Sequence, residues 1–509
     1  MKPENYCWRT GGSFGIVRAL LSVASSELHD VVSERKQETP TSLFMKIGMQ
    51  INTAALVCAI AAATTGVLSA QESEVSSSQT APSYGTSSIY DTATPSSTTR
   101  TTGPVSVSET PSDEDREPTT IASGGGVGTS ASDLFDYSGI GGAGLDSGNF
   151  EGRPWGVSLS LTQGWDDNIY ATKNNTQDSF FTSLSAGGYF GLSNGRTTLR
   201  LGGNLGGTYY WDRPGDSIDP NINATLSLSH SISPKWSLSV IGYVAYESEP
   251  NYQSVYGSSH PGQDYVYGSV QAQLSQRWSR RFSTIYGYTI GGVVYTGDAD
   301  QGENSGRDRL EQTLSLQLRY LVQPVLTLVA EYRFGITTYN DDGYTLYNNL
   351  LAGFDYSLSQ RLSASLRAGV EFRNNDDGGS DDGGIPFVEA SLTYRFAKQS
   401  SLTWINRYGY EESNYGSVGD GRRTYRTGLI VNHQISSRIR AQLGGYYTTS
   451  DYDGDPGTED TLDLNFNISY GILPYLSLQA GYTFTKVWSD LELNEYDRNR
   501  IYGGATFSF

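Results

Sequence analysis

Arg498–Phe509 reads RNRIYGGATFSF and ends on Phe. Counting back from Phe509 in steps of two gives Phe507, Ala505, Gly503 and Ile501. The other parity gives Ser508, Thr506, Gly504, Tyr502 and Arg500. One face is apolar or small; the other is mostly polar and finishes in a cation. A period of two is the mark of an extended strand, whose side chains alternate between faces. Taken alone, the stretch fits a strand with one face in lipid, or the last strand of a soluble sheet. What separates the two lies upstream, where the same alternation recurs back to Trp155.

From Trp155 to Phe509 long alternating segments are separated by two kinds of connection. Short ones, such as Ser193-Asn194-Gly195-Arg196, Ser233-Pro234-Lys235 and Ser436-Ser437-Arg438, are basic or neutral. Long ones, such as 249–263, 297–306 and 374–384, are rich in Asp, Gly and Asn. The two kinds take turns along the chain. Tight turns on one side and longer loops on the other are the asymmetry of an outer-membrane barrel. The segments predict an all-β fold, a transmembrane antiparallel barrel of about eighteen strands from 155–171 to 494–509. Sixteen is the alternative, because 165–185 and 485–500 are weakly bounded. An even count brings the first strand's start and the last strand's end to the same side. Soluble strands average about 5–6 residues, and these segments are long enough to cross a membrane at a tilt.

Face assignment follows the alternation. Leu314, Leu316 and Leu318, with Leu462, Leu464, Phe466 and Ile468, belong to the lipid-facing parity. Trp155, Trp211, Trp278 and Tyr475 sit near segment ends, where amphipathic rings favour the interface. The opposite parity carries the charge. It holds Arg309, Glu311 and Arg319, then Glu331 and Arg333, then Arg367, Glu371 and Arg373. Further on it holds Glu389 and Arg395, Arg407 and Glu411, Arg426, Arg440, and finally Arg498 and Arg500. Rows of Arg opposite Glu on a water-facing wall would set a field across a pore and pass small polar solutes by charge and width. The plainer reading is that these pairs knit the wall together. The two are compatible.

Composition bounds the rest. The chain has 509 residues, 59 of them Gly and 36 Tyr, with only 17% charged, a texture suited to a sheet with aromatic girdles. Its net charge of −19 repels phosphates, so nucleic acid is not an expected partner. Met45 opens a stretch with a basic start, an apolar Ala-rich run over 53–68 and small residues around Ser69-Ala70, so 45–70 reads as a Sec-type secretory signal peptide, with a short transmembrane helix as the alternative. Residues 1–44 then read as an over-extended start, and 71–150, dominated by Ser, Thr, Pro and Gly, as a disordered arm before a barrel over 151–509. Both cysteines, Cys7 and Cys58, precede residue 71, so no thiol site is expected beyond it. The acidic loops 374–384 and 451–460 lack the full calcium-loop spacing and read as solvated surface; no metal and no cofactor is expected. His230, His260 and His433 are the histidines after residue 70, none set beside a Ser and an acid in the strand–turn–helix context of a hydrolase, so no catalytic residues are expected.

Two stretches carry a family resemblance. The first alternating segment ends in Gly164-Trp165-Asp166-Asp167-Asn168-Ile169-Tyr170, and a segment of that kind opening a long Gly/Tyr-rich barrel resembles the β-barrel porin type 2 family. The resemblance spans about 155–509. It implies a protein of the Gram-negative outer membrane, a porin, in a family sometimes associated with exopolysaccharide export. The terminal strand likewise resembles the closing strand of bacterial outer-membrane barrels, in which the terminal aromatics, here Phe509 and Phe507, are what the barrel-assembly machinery reads. The expected function is passive diffusion of small polar solutes through a charged lumen. The alternative is a non-conducting surface barrel that binds an envelope polymer such as exopolysaccharide.

Overall fold

In a computed structural model the chain is described over residues 154–509, except 216, 251–263, 297–307, 341–342, 376–383, 413–420, 453–456 and 491–494. The readings of 1–44, 45–70 and 71–150, and residues 376–383 and 453–456 of the two acidic loops, lie outside the described residues.

Every regular element among the described residues is a strand. In chain order they are β1 Trp155–Asp166, β2 Ser179–Ser193, β3 Thr197–Tyr210, β4 Ile218–Ser233, β5 Trp236–Glu247 and β6 Tyr265–Arg277. There follow β7 Phe282–Tyr295, β8 Arg309–Gln323, β9 Leu326–Tyr339, β10 Gly343–Ser357, β11 Leu362–Asn375 and β12 Ile385–Ala397. The last six are β13 Ser400–Glu412, β14 Gly421–Gln434, β15 Ile439–Tyr452, β16 Thr458–Leu473, β17 Leu476–Ser489 and β18 Tyr496–Ser508. Each pairs antiparallel with its chain neighbours, and β1 pairs with β18, so the sheet closes into an 18-stranded barrel. The regions that left sixteen open contain real strand ends: β2 begins at Ser179, β17 ends at Ser489 and β18 begins at Tyr496.

Turn chemistry fixes the register at one rim. Pro234-Lys235, Pro324-Val325 and Pro474-Tyr475 are two-residue turns closed by the pairs Ser233↔Trp236, Gln323↔Leu326 and Leu473↔Leu476. Proline pre-sets the backbone for the first central position of such a turn. Three other turns use a serine hydroxyl: Ser279, Ser359 and Ser436 each accept from the backbone N–H three residues on, at 3.0, 3.1 and 3.1 Å. This end is the turn rim; the opposite end, with the longer connections, is the loop rim.

The two faces separate as the alternation predicts. Trp155 is 59% exposed, and Val157, Leu159, Leu161, Leu314, Leu318 and Phe466 are also exposed on the outer face. Polar groups on that face are capped by mid-strand tyrosines: Tyr288 donates to Gln312 Oε1 at 2.8 Å and Tyr332 to Asn348 Oδ1 at 2.7 Å.

Two places depart from simple alternation. β1 stops at Asp166 rather than running to 171. Asp166 Oδ1 accepts the Asn168 N–H at 3.1 Å, which turns the chain, and Ala171 sits at φ 51°, outside the strand region. At the other place β12 and β13 part. Ile385, Pro386 and Phe387 pair only with β11, and Gly409–Glu412 pair only with β14. Pro386 has no N–H to give a second neighbour. The freed end of β13 carries both parities into the lumen, so Tyr410, Glu411 and Glu412 are all buried there.

Candidate functional site: the charged lumen wall

The inward residues assemble into two clusters. The larger one covers β8 to β14. Arg333, 1% exposed, is held by Glu331 at 2.5 Å and by Glu389 at 3.0 Å, three strands away. Arg367 bonds Asp355 at 2.8 Å, and Arg319 pairs with the same carboxylate. Arg373 Nη2 donates to Glu412 at 2.5 Å, with Glu371 at 3.6 Å and the Tyr410 ring centroid 3.8 Å from its guanidinium. Glu411 is the hub: Arg407, Arg422 and Arg426 converge on it, the last two at 3.3 and 3.2 Å. Arg309 pairs with Glu311 at 2.9 Å. A polar cavity of about 40 Å³ lies among Glu371, Arg373, Arg407 and Glu412, and the buried Nε atoms of Arg373 and Arg407 have no hydrogen-bond partner among the described residues.

The smaller cluster sits at the seam. Asp166 is fully buried and accepts from Arg498 Nε at 3.0 Å, with Arg500 Nε at 3.2 Å. Asp167 accepts from the backbone N–H of Asn499 at 2.6 Å and from its side-chain amide at 2.7 Å. Asn168 donates to the Thr172 and Asp497 carbonyls at 2.8 and 2.9 Å. The Asp-Asp-Asn motif is therefore a side-chain clasp between the first and last strands at the loop rim.

Glu249, in the connection after β5, reaches the same cluster. It accepts from Arg500 Nη1 and from the Tyr210 hydroxyl, both at 2.7 Å, and from Arg498 at 3.3 Å. Tyr265 donates to the Glu249 carbonyl at 2.8 Å and so holds the elbow from the other side. Burial by itself would raise the Glu249 carboxyl, but Arg498 and Arg500 outweigh it and hold the group down at about 2. A lowered carboxyl contributes stability that is full above its unfolded value and lost as pH falls through the folded one. The unfolding midpoint of wild type should exceed that of Glu249→Gln by a constant margin above about pH 5, and the margin should shrink to nothing as pH approaches about 2. A margin that vanishes near neutrality would break this assignment.

All sixteen lumen candidates have inward parity in these ladders. Arg395 lies exposed near the turn rim and has no ion-pair partner among the described residues. Arg440, inward on β15, is half-buried nearer that rim than the cluster. The expected rows of Arg facing rows of Glu across the pore are not what forms: opposite charges alternate along one wall and neutralise each other locally. The lumen charges named from the sequence did not include Glu249, Asp355, Glu412 or Arg422, nor Asp166, which was quoted only as part of the Gly164–Tyr170 motif.

A closed barrel with an apolar exterior, an ionic interior and alternating short and long connections is a porin-type outer-membrane barrel. The chain belongs to the family described as "Putative beta-barrel porin 2", whose model matches residues 139–509. No curated protein matches the chain. Among solved structures the chain is similar to OpdK of Pseudomonas aeruginosa with vanillate, at 10% identity and TM-score 0.37 over 70% of this chain and 99% of that one. It is similar to OccAB4 of Acinetobacter baumannii at 13% identity and TM-score 0.35, over 70% and 99%. The ferric enterobactin receptor of Pseudomonas aeruginosa matches at 10% identity and TM-score 0.37, over 70% and 81%. At these values nothing about a solute carries over.

Proposed function

We propose that the protein is a passive pore for small polar solutes in the Gram-negative outer membrane. In this reading 45–70 directs Sec-type export, and Phe507 and Phe509 address the chain to the barrel-assembly machinery. Both aromatics face outward, and Phe509 is tied to β1 through paired backbone bonds with Val157 at 2.8 and 3.2 Å. The turn rim then faces the periplasm and the loop rim the exterior. The observation that carries the reading is the two-sided wall, with an exterior dominated by exposed apolar side chains around an interior lined by guanidinium and carboxylate groups. Such a wall suits polar solutes that can exchange water for fixed charges.

The test uses the full chain, expressed and extracted from outer membranes, in planar bilayers. Repeated conductance steps are expected. Arg395→Glu, which breaks no ion pair, should shift the permeability ratio toward cations about two- to threefold. A barrel that is folded by heat-shift electrophoresis yet shows no steps would overturn conduction and leave the reading of a polymer-binding surface barrel.

A further inference from the structure

Seven cations and no carboxylate occupy the eight connections of the turn rim. Six of them, one per turn, are Arg196, Lys235, Arg281, Arg361, Lys398 and Arg438, and all six are exposed. The seventh, Arg280, stands beside Arg281. The loop rim has the opposite bias, as in Asp376-Asp377 and Asp381-Asp382. The chain carries −19 overall, so a cationic ring is a local feature set against its composition. Several of these residues also recur in the same turn position: Arg196, Arg281, Arg361 and Arg438 each stand immediately before the next strand.

Trp155 begins β1 at this same rim, so the chain that precedes the barrel arrives there. That chain is acidic. Residues 109–117, ETPSDEDRE, hold Glu109, Asp113, Glu114, Asp115 and Glu117 against the single cation Arg116. Residues 118–154, 37 in all, separate Glu117 from the start of β1. A polar linker of that length has a root-mean-square reach of about 30–37 Å, on the scale of a barrel of this strand number. Tethering at such a span gives an effective concentration in the millimolar range, so weak individual charge contacts suffice.

We propose that the acidic segment 109–117 docks on the cationic turn rim of its own barrel. The contact is electrostatic, spread over several turns and screened by salt within a Debye length of about 8–10 Å at physiological ionic strength. Anionic phospholipid headgroups are the competing occupant of the ring. This proposal does not rest on conduction.

The test is disulfide trapping in the full chain extracted from outer membranes. Both native cysteines precede residue 71, and they are changed to Ser. Ser112→Cys is paired with Ser437→Cys in the turn before β15, and separately with Lys173→Cys beyond the loop-rim end of β1 as a control. Ser112–Ser437 cross-linking is expected at low salt, with none to the control. The yield should fall about tenfold when Asp113, Glu114, Asp115 and Glu117 are replaced by their amides, and by a similar factor at 1 M salt. Reversing the rim with Arg281→Glu, Arg361→Glu and Arg438→Glu should do the same while heat-shift electrophoresis shows the barrel intact. Equal yields from acidic and neutralised segments would overturn the proposal. So would a yield abolished by phosphatidylglycerol vesicles but not by phosphatidylcholine, which would assign the ring to lipid.

Discussion

Asp166→Ala is expected to lower the unfolding free energy of the barrel by about 3–5 kcal/mol, the cost of removing one partner from a buried ion pair. Asp166 is fully buried at the loop-rim end of the seam, between the guanidinium groups of Arg498 and Arg500. Without it the buried Arg498 and the half-buried Arg500 keep Glu249 as their one carboxylate among the described residues, and that carboxylate belongs to a connection rather than to a strand. The change also removes the acceptor for the Asn168 N–H and so loosens the turn that aims Asp167 and Asn168 at β18. The closing ladder runs from Ser158↔Ser508 to Asp166↔Arg500, so the clasp acts at its last pair. Asp166→Asn keeps the shape and an acceptor but drops the charge, and should fall between alanine and wild type. The measurement is urea unfolding of the refolded barrel, followed by the loss of the compact band in unheated gels. A cost below about 1 kcal/mol would mean that water or Glu249 satisfies both arginines, and that the motif does not hold the seam.

The architecture was legible because it is local. A period of two, proline and serine turns and an even number of segments are each written within a few residues. They lead to β8 with Leu314, Leu316 and Leu318 on one side and Arg309, Glu311 and Arg319 on the other. The ion-pair network was half legible. Parity says that Glu331 and Arg333 face inward, but not that Arg333 spans three strands to Glu389, because that depends on the curvature of the wall. Asp166 was visible as part of a motif, yet its partner lies 332 positions away and meets it only when the barrel closes. Glu249 stands in a connection, where no alternation assigns a face. Glu412 was hidden for a different reason: it has the outward parity of β13, and reaches Arg373 and Tyr339 only because that strand end leaves β12.

That limit also bears on selectivity. Where Arg and Glu alternate on one wall, the far field of the cluster is small, and a solute feels the charges that have no close partner. This is why Arg395, rather than the deeply paired Arg333 or Arg426, is the residue whose reversal should show in permeability. Reversing a member of the network would place like charges side by side in a buried site and report on folding instead.

Two arginine substitutions one residue apart test whether the outer face is a lipid face. Leu443 is 51% exposed on the exterior of β15, and Gln442 faces inward, paired across the ladders with Asn432 and Asn467. Leu443 stands four residues from the turn-rim end at Ile439. With about 2.5 Å of vertical rise per residue in a tilted strand, it lies about 10 Å into an apolar band about 25 Å tall. Leu443→Arg in a lipid bilayer should therefore cost about 2–4 kcal/mol, the penalty for arginine near the midplane of a barrel exterior. The side chain is long enough to snorkel toward the turn-rim interface, so the lower part of that range is the better expectation here. Gln442→Arg points into the lumen, where water is available, and should change stability by no more than about 0.5 kcal/mol. In a detergent micelle, whose apolar layer deforms around a charge, the gap between the two variants should narrow. Equal costs in the bilayer would mean that both side chains meet the same medium, and that the parity separating lipid from lumen along this wall is wrong.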